Sequence, residues 1–289
     1  MPVDQRRRRA RRTTAFPLLI AALLVPLAAC SKRPPAPGAA PSASATPAVE
    51  EVPVAAVPAP SPSTASPSVT RAPASAVPKS AGTSGTVAAN DASRLRTLPA
   101  STTQVVIVKT PGMASTSGTL QAFAKSGGAW QPVFAAMPAR IGSNGFSDTK
   151  REGDRTTPTG VYAIDGTMYG IGGNPGVRYA YHRLVPDDWW NENSDSPGYN
   201  TFSHGPNPGG PSEPLWQISP QYTHFAVIRY NMPATPGRGS GIFLHQSNGN
   251  ATLGCVSLAH EDLVGVLRWL DPATNPRIVM APTDRLNRY

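Results

Sequence analysis

The sequence is poor in cysteine, in charge and in long apolar runs. It has only two cysteines in 289 residues, too few for a disulfide framework. Charged residues make up 15% of the chain and aromatics 7%. The longest apolar stretch, from about Phe16 to Leu27, is too short to span a bilayer as a permanent helix. Net charge is +9, but its distribution excludes a nucleic-acid surface in the folded part. Residues 1–29 carry +5, residues 30–102 carry +3, and residues 103–289 only +1, with no clustered basic face. No internal repeat is present. The histidines show no metal-ligand spacing with acidic or thiol partners, so neither a metal nor another cofactor is expected. Gly170-Ile171-Gly172-Gly173 follows no strand–helix unit and does not read as a phosphate loop.

What is present falls into three segments. Residues 1–29 read as a signal peptide. Arg6 to Arg12 form the charged region, the apolar run follows, and Leu27-Ala28-Ala29-Cys30 closes it in the layout of a bacterial lipoprotein signal. Arg11-Arg12 raises twin-arginine export, but the surroundings fit a plain arginine-rich region better. Cys30 is therefore expected to carry lipid and to anchor an exported protein to an envelope membrane. Residues 30–102 are Ala/Pro/Ser-rich and cannot bury enough apolar surface to fold. As a tether they would reach at most roughly 200 Å at about 3.1 Å per residue. Residues 103–289 read as one domain facing the cell wall.

Within that domain short β-branched runs alternate with Gly and Pro. Val105 to Val108, Val161 to Ile164, Val177 to His182, His224 to Tyr230, Gly241 to His245 and Arg277 to Ala281 are strand candidates. Thr119 to Lys125 and Ala129 to Ala136 flank Ser126-Gly127-Gly128 as a hairpin. One segment, about 259–270, has a helical period, through Leu263, Val266, Leu267 and Leu270, and Pro272 stops it. The fold class is mostly β, a sandwich or a barrel, with one short helix. Residues 166–222 show little regular pattern. They read either as a functional loop or as a surface excursion pinned by aromatics.

With Cys30 consumed by lipid, Cys255 has no disulfide partner. It lies in Thr252-Leu253-Gly254-Cys255-Val256, ten residues after His245. A thiol attacks a carbonyl as thiolate, and an imidazole can take its proton and pass it to a leaving amine. Gly254 would let the backbone bend and bring N–H groups towards a substrate oxyanion. His182 and His224 read as structural and His260 as opening the helix. His204 is a candidate substrate contact. Trp189 and Trp190, with Asp187 and Asp188, form either a wall for an amine-bearing peptide or core packing.

His245 followed by Thr252-x-Gly254-Cys255-Val256 resembles the signature of the L,D-transpeptidases, the YkuD-type family. Gly153-Asp154-Arg155-Thr156-Thr157-Pro158-Thr159-Gly160-Val161-Tyr162 is similar to the family's upstream Thr-Pro-x-Gly-aromatic element. Asp195-Ser196-Pro197-Gly198-Tyr199-Asn200 resembles a loop of some members. The resemblance covers roughly residues 103–282. It implies a β-sandwich-like domain that acts on peptidoglycan stem peptides, with Cys255 as nucleophile and His245 as base. Thr252, Gly254 and Gln246 would support the site, the Gln246 carbonyl orienting the imidazole. The thiol would release a terminal D-alanine, and a neighbouring stem's amine would resolve the thioester into a link between third residues. Leu253 stands where many members have His, and Ser257 where many have Arg or Asn. Other readings are hydrolysis at the same site, as a carboxypeptidase or amidase, and a wall-binding lipoprotein with a decayed site. A sortase is disfavoured because the threonine before the cysteine is missing. Papain-like and NlpC-type peptidases are disfavoured because they place Cys before His. Stem chemistry, acceptor and oligomeric state are not specified by the residues.

Overall fold

The computed structural model describes residues 89–289. The signal segment, Cys30 and most of the tether lie outside the described residues. Fifteen strands and one α-helix follow in chain order. The first six are β1 Gln104–Thr110, β2 Ser117–Ser126, β3 Ala129–Pro132, β4 Met137–Arg140, β5 Phe146–Ser147 and β6 Thr157–Pro158. Then come β7 Gly160–Gly170, β8 Ala180–Arg183, β9 Asp188–Asn191, β10 Thr201–His204 and β11 Glu213–Pro214. The last are β12 Phe225–Ile228, β13 Phe243–Gln246, β14 Val256–Leu258, helix α1 His260–Trp269 and β15 Arg277–Pro282. The mostly-β class with one short helix after Cys255 is thus realised.

Ten strands form one sheet in the order β1-β15-β7-β12-β13-β14-β4-β2-β3, with β8 on β7. β1 also pairs with β2, so the sheet closes on itself. Alternation along each strand sorts the side chains. Val106 and Val108 of β1, Leu244 of β13, and Val256 and Leu258 of β14 join one core, which Leu263, Val266, Leu267 and Leu270 of α1 complete. Their helical spacing places all four on the buried stripe that the sequence pattern indicates. Val105 and Ile107 face the other way, into a cluster with Phe123, Val279 and Leu286.

Two boundaries differ from the sequence reading. The packed domain begins before residue 103. A 3-10 turn, Asp91–Arg94, is capped by Asn90, and its Ala92 is fully buried against Val105, Ile107 and Leu286. An alanine inside an Ala/Pro/Ser-rich stretch carries no compositional sign that it will be buried. The second difference concerns residues 166–222, where the end of β7 and four short strands punctuate the loops. β7 runs to Gly170 and β8 pairs with its end. β9 sits between β10 and β11 in a separate three-stranded sheet. These strands are short and rich in polar residues, so no period shows in the sequence.

Candidate active site

β13 and β14 lie side by side and parallel, with Leu244 opposite Val256 and His245 opposite Ser257. The same register carried back one residue sets Phe243 opposite Cys255. Leu244 and Val256 face the helix-covered core, so Phe243, His245 and Cys255 share the other face. The sequence suggests two strands joined by a polar turn. The pairing is instead parallel, and residues 247–255 cross over between the strands.

The turn before Cys255 is held by the upstream motif. Thr157 Oγ1 accepts the Gly142 N–H at 2.9 Å and donates to the Gly254 carbonyl at 2.7 Å. Thr252 Oγ1 accepts the Gly254 N–H at 3.1 Å and donates to the Cys255 carbonyl at 2.7 Å. Gly254 has φ +147°, and a Cβ there would come within 2.9 Å of the Thr156 carbonyl oxygen. Thr252 and Gly254 therefore build the nucleophile turn. The Gly254 N–H, expected to face a substrate oxyanion, is taken by Thr252.

Among the described residues the thiol's hydrogen-bond partners are backbone groups. It accepts the Phe243 N–H at 3.3 Å and donates to the Gly241 carbonyl at 3.2 Å. Burial pushes the Cys255 thiol well above its ordinary value. Glu213 adds to the rise, while the Phe243 N–H and the Lys150 charge oppose it. His245 is also buried, and Tyr222 stands edge-on to its ring at 5.7 Å between centroids. Its Nδ1 lies 2.7 Å from the Gln246 carbonyl oxygen. A carbonyl only accepts, so Nδ1 carries the proton and Nε2 keeps a free lone pair. Desolvation lowers the imidazole to about 4, with the Gln246 bond acting against it. The resting pair is thus a thiol and a neutral imidazole. The Gln246 side chain is fixed separately, with Oε1 2.9 Å from His260 Nδ1 at the start of α1.

Cys255 borders two cavities. One, of about 180 Å³, is lined by His245, Tyr222, Gln221, Ile218 and Ala251. The other, of about 350 Å³, is lined by Lys150, Glu152, Glu192, Ser240 and Gly241. Leu253 and Glu213 belong to both. At Gly241, with φ +59°, a Cβ would come within 2.1 Å of Glu192 Oε1, so a side chain there would displace that carboxyl and strain the backbone. Burial lifts Glu192 to about 9, helped by the neighbouring Glu213 and Glu152 charges. Glu213 is raised by burial as well, and accepts the Tyr222 hydroxyl at 2.5 Å.

The sequence reading missed Lys150, Glu152, Glu192, Glu213 and Tyr222. One cue was available: Glu192 directly follows Trp189-Trp190-Asn191. The three candidate substrate contacts lie off both cavities. Trp190 is buried, packs edge-on against Phe243 and donates to Asn200 Oδ1 at 3.2 Å. Trp189 donates to the Gly205 carbonyl at 3.0 Å and packs on Trp216. His204 lies 2.8 Å from Asp188, which also holds His182 at 2.8 Å. For the tryptophans the packing alternative applies: Trp190 packs on Phe243 of β13, in the same buried cluster as Cys255.

Residues 113–280 match the model of the YkuD L,D-transpeptidase catalytic domain. Among solved structures, L,D-transpeptidase 1 of Mycobacterium tuberculosis is similar at 13% identity and a TM-score of 0.28, over 62% of this chain and 62% of that one. The helical cell shape determining protein Pgp2 of Campylobacter jejuni is similar at 14% identity and a TM-score of 0.33, over 64% of this chain and 52% of that one. The match thus spans less than two thirds of the length of either protein. No curated protein matches the chain. With its thiol directly before β14 and its imidazole on neighbouring β13, both inside the matched region, the chain belongs to the family of the YkuD L,D-transpeptidase catalytic domain.

Proposed function

We propose that this domain is a cysteine acyltransferase of peptidoglycan stem peptides, an L,D-transpeptidase that forms links between third residues. The observation that carries this is the placement of Cys255 and a neutral, Nδ1-anchored His245 on one sheet face, bordering one cavity. The thiol first turns from the Gly241 carbonyl towards His245 Nε2. Sulfur attacks the carbonyl carbon before the terminal D-alanine as its proton passes to the imidazole. The C–N bond breaks, and the imidazolium returns that proton to the leaving amine. The product is a thioester on Cys255. A second stem's amine then attacks the same carbon, the C–S bond breaks, and His245 carries the amine's proton back to sulfur. A neutral resting pair suits this route, because each proton moves only when substrate is present.

Anchoring on Cys30 belongs to the same proposal and rests on the sequence pattern alone. A lipid there would hold the domain near wall strands and raise the local concentration of amine acceptors. Cys30→Ala is expected to move the protein into the soluble fraction. Membrane retention of that variant, with no fatty-acid labelling of the unsubstituted chain, contradicts the anchor.

Incubation with a disaccharide tetrapeptide stem tests the activity. D-alanine release with cross-linked dimers supports transpeptidation. Trimmed tripeptide alone, at any stem concentration, assigns the site to hydrolysis.

A further inference from the structure

The sheet face that carries His245 continues beyond the site. Ser257 lies opposite His245, Arg140 opposite Ser257, and Ser117 opposite Arg140. Residues paired in this way share a face, so one row runs from the imidazole across β14 and β4 to β2. At the usual strand spacing Arg140 stands two strands, about 10 Å, from His245. The outer part of the row, Ser257, Arg140 and Ser117, lines a cavity of about 470 Å³ together with Ser247, Ala259 and Asp262. The crossover after β13 separates it from the site. Asn248 and Ala251 line the smaller cavity at Cys255, Ser247 and Gly249 line this one, and no residue lines both. Arg140 and Asp262 are the charged groups of the wall. Among the described residues the side chain of neither makes a hydrogen bond or an ion pair, with the other or with anything else. Ser257 is 1% exposed, and its hydroxyl has no hydrogen-bond partner. Helix α1 starts at the same wall on Ala259, whose side chain supplies no cap, so first-turn N–H groups stay open there.

We propose that this cavity binds an α-amino-acid head group, its carboxylate on Arg140, Ser257 and the start of α1, and its ammonium on Asp262. The charges of the wall select that chemistry. A lone cation would face Arg140, and a lone anion would face Asp262. A zwitterion answers both, and neither wall group is committed elsewhere. The guanidinium fork matches a carboxylate, and the partial positive charge at a helix start adds to it. The Ser257 hydroxyl is free to turn and is the donor left without an acceptor. Two sources carry this head group: a free amino acid, and the unlinked end of a diamino acid in a stem peptide. Binding here does not depend on the acyl-transfer reading.

The test titrates isotope-labelled Cys255→Ala protein, which lacks the thiol, and follows the amide signals of Gly118, Gly249 and Ser257 by NMR at neutral pH. The probes are D-alanine, N-acetyl-D-alanine, D-alaninamide, and two tetrapeptide stems with diaminopimelate or lysine in third place. D-alanine should bind at least about tenfold tighter than either blocked form, because each lacks one of the two charges. Adding Arg140→Gln or Asp262→Asn should weaken it at least about tenfold, while Arg140→Lys should keep part of the affinity. Signals elsewhere in the spectrum should stay in place in all three, which separates lost binding from lost folding. A diaminopimelate stem that binds at these signals at least about tenfold tighter than the lysine stem assigns the cavity to a stem-borne end. D-alanine binding with no difference between the stems assigns it to a free amino acid. Equal binding of D-alanine and its blocked forms overturns the proposal. So do shifts that persist in both charge-removing variants, or no shift with either D-alanine or the diaminopimelate stem.

Discussion

The Cys255 thiol lies 3.2 Å from the carbonyl oxygen of Gly241 and donates its proton there. Burial keeps that thiol neutral, and the Gly241 bond is the one that the proposed attack on a substrate must break. It also fixes Gly241 in its role, since the carbonyl that parks the thiol belongs to the residue whose missing Cβ admits Glu192.

His245→Ala should lower D-alanine release at least about a hundredfold, as loss of a general base does. The domain should stay folded, because its main core is on the opposite sheet face. Single-turnover release and a thermal melt check both halves. An unchanged acylation rate would remove His245 from the mechanism.

The pH dependence has two parts of opposite sign. His245 binds its proton at about 4 in the folded chain, against an ordinary value of 6.5. The unfolded chain therefore binds more protons between these values. The His245 contribution to stability should be full above pH 6.5 and be lost as pH drops towards 4. Glu192 is raised from 4.5 to about 9, so the folded chain binds the extra proton there, and stability should fall as pH rises across that window. Above pH 6.5 only the second slope remains. Melting temperatures of His245→Gln and Glu192→Gln across pH 4 to 9 should each lack one slope. Parallel curves for all three proteins would contradict these assignments.

The turn before the thiol is a backbone device, and Gly254→Ala should show it. At φ +147° the added Cβ meets the Thr156 carbonyl at 2.9 Å. A cost of about 1–3 kcal/mol or more is expected from the strained backbone alone. Thr157→Val removes the hydroxyl that joins Gly142 to Gly254 and should cost about 1–3 kcal/mol. Denaturant unfolding measures both, and neutral values would show that the turn is held elsewhere.

Leu253→His, which installs the residue common in the family, should leave stability within about 0.5 kcal/mol because the side chain is exposed. Acylation should change modestly. Loss of folding would mean that Leu253 packs in a core.

Much of this was legible from residues alone. The stripe Leu263, Val266, Leu267, Leu270 marks α1 because one buried face needs helical spacing. Ser126-Gly127-Gly128 marks the β2–β3 hairpin because Gly127 and Gly128 take positive φ. Cys255 and His245 stand out by type and spacing. The parallel neighbours β13 and β14 do not, since three or four residues carry no sign of their partner or its direction. Glu192 and Glu213 reach the site only through the separate sheet of β9, β10 and β11, a long-range pairing that no local pattern encodes. The tryptophans left two readings open because aromatic side chains serve cores and binding walls equally well.

Intact-mass spectrometry of the protein mixed with a tetrapeptide stem tests the central claim most directly. The account predicts a covalent adduct equal to the stem minus alanine, mapped to Cys255, that decays on addition of an amine acceptor with formation of the cross-linked dimer. No adduct on Cys255, with a stem or with a carbapenem, would contradict it.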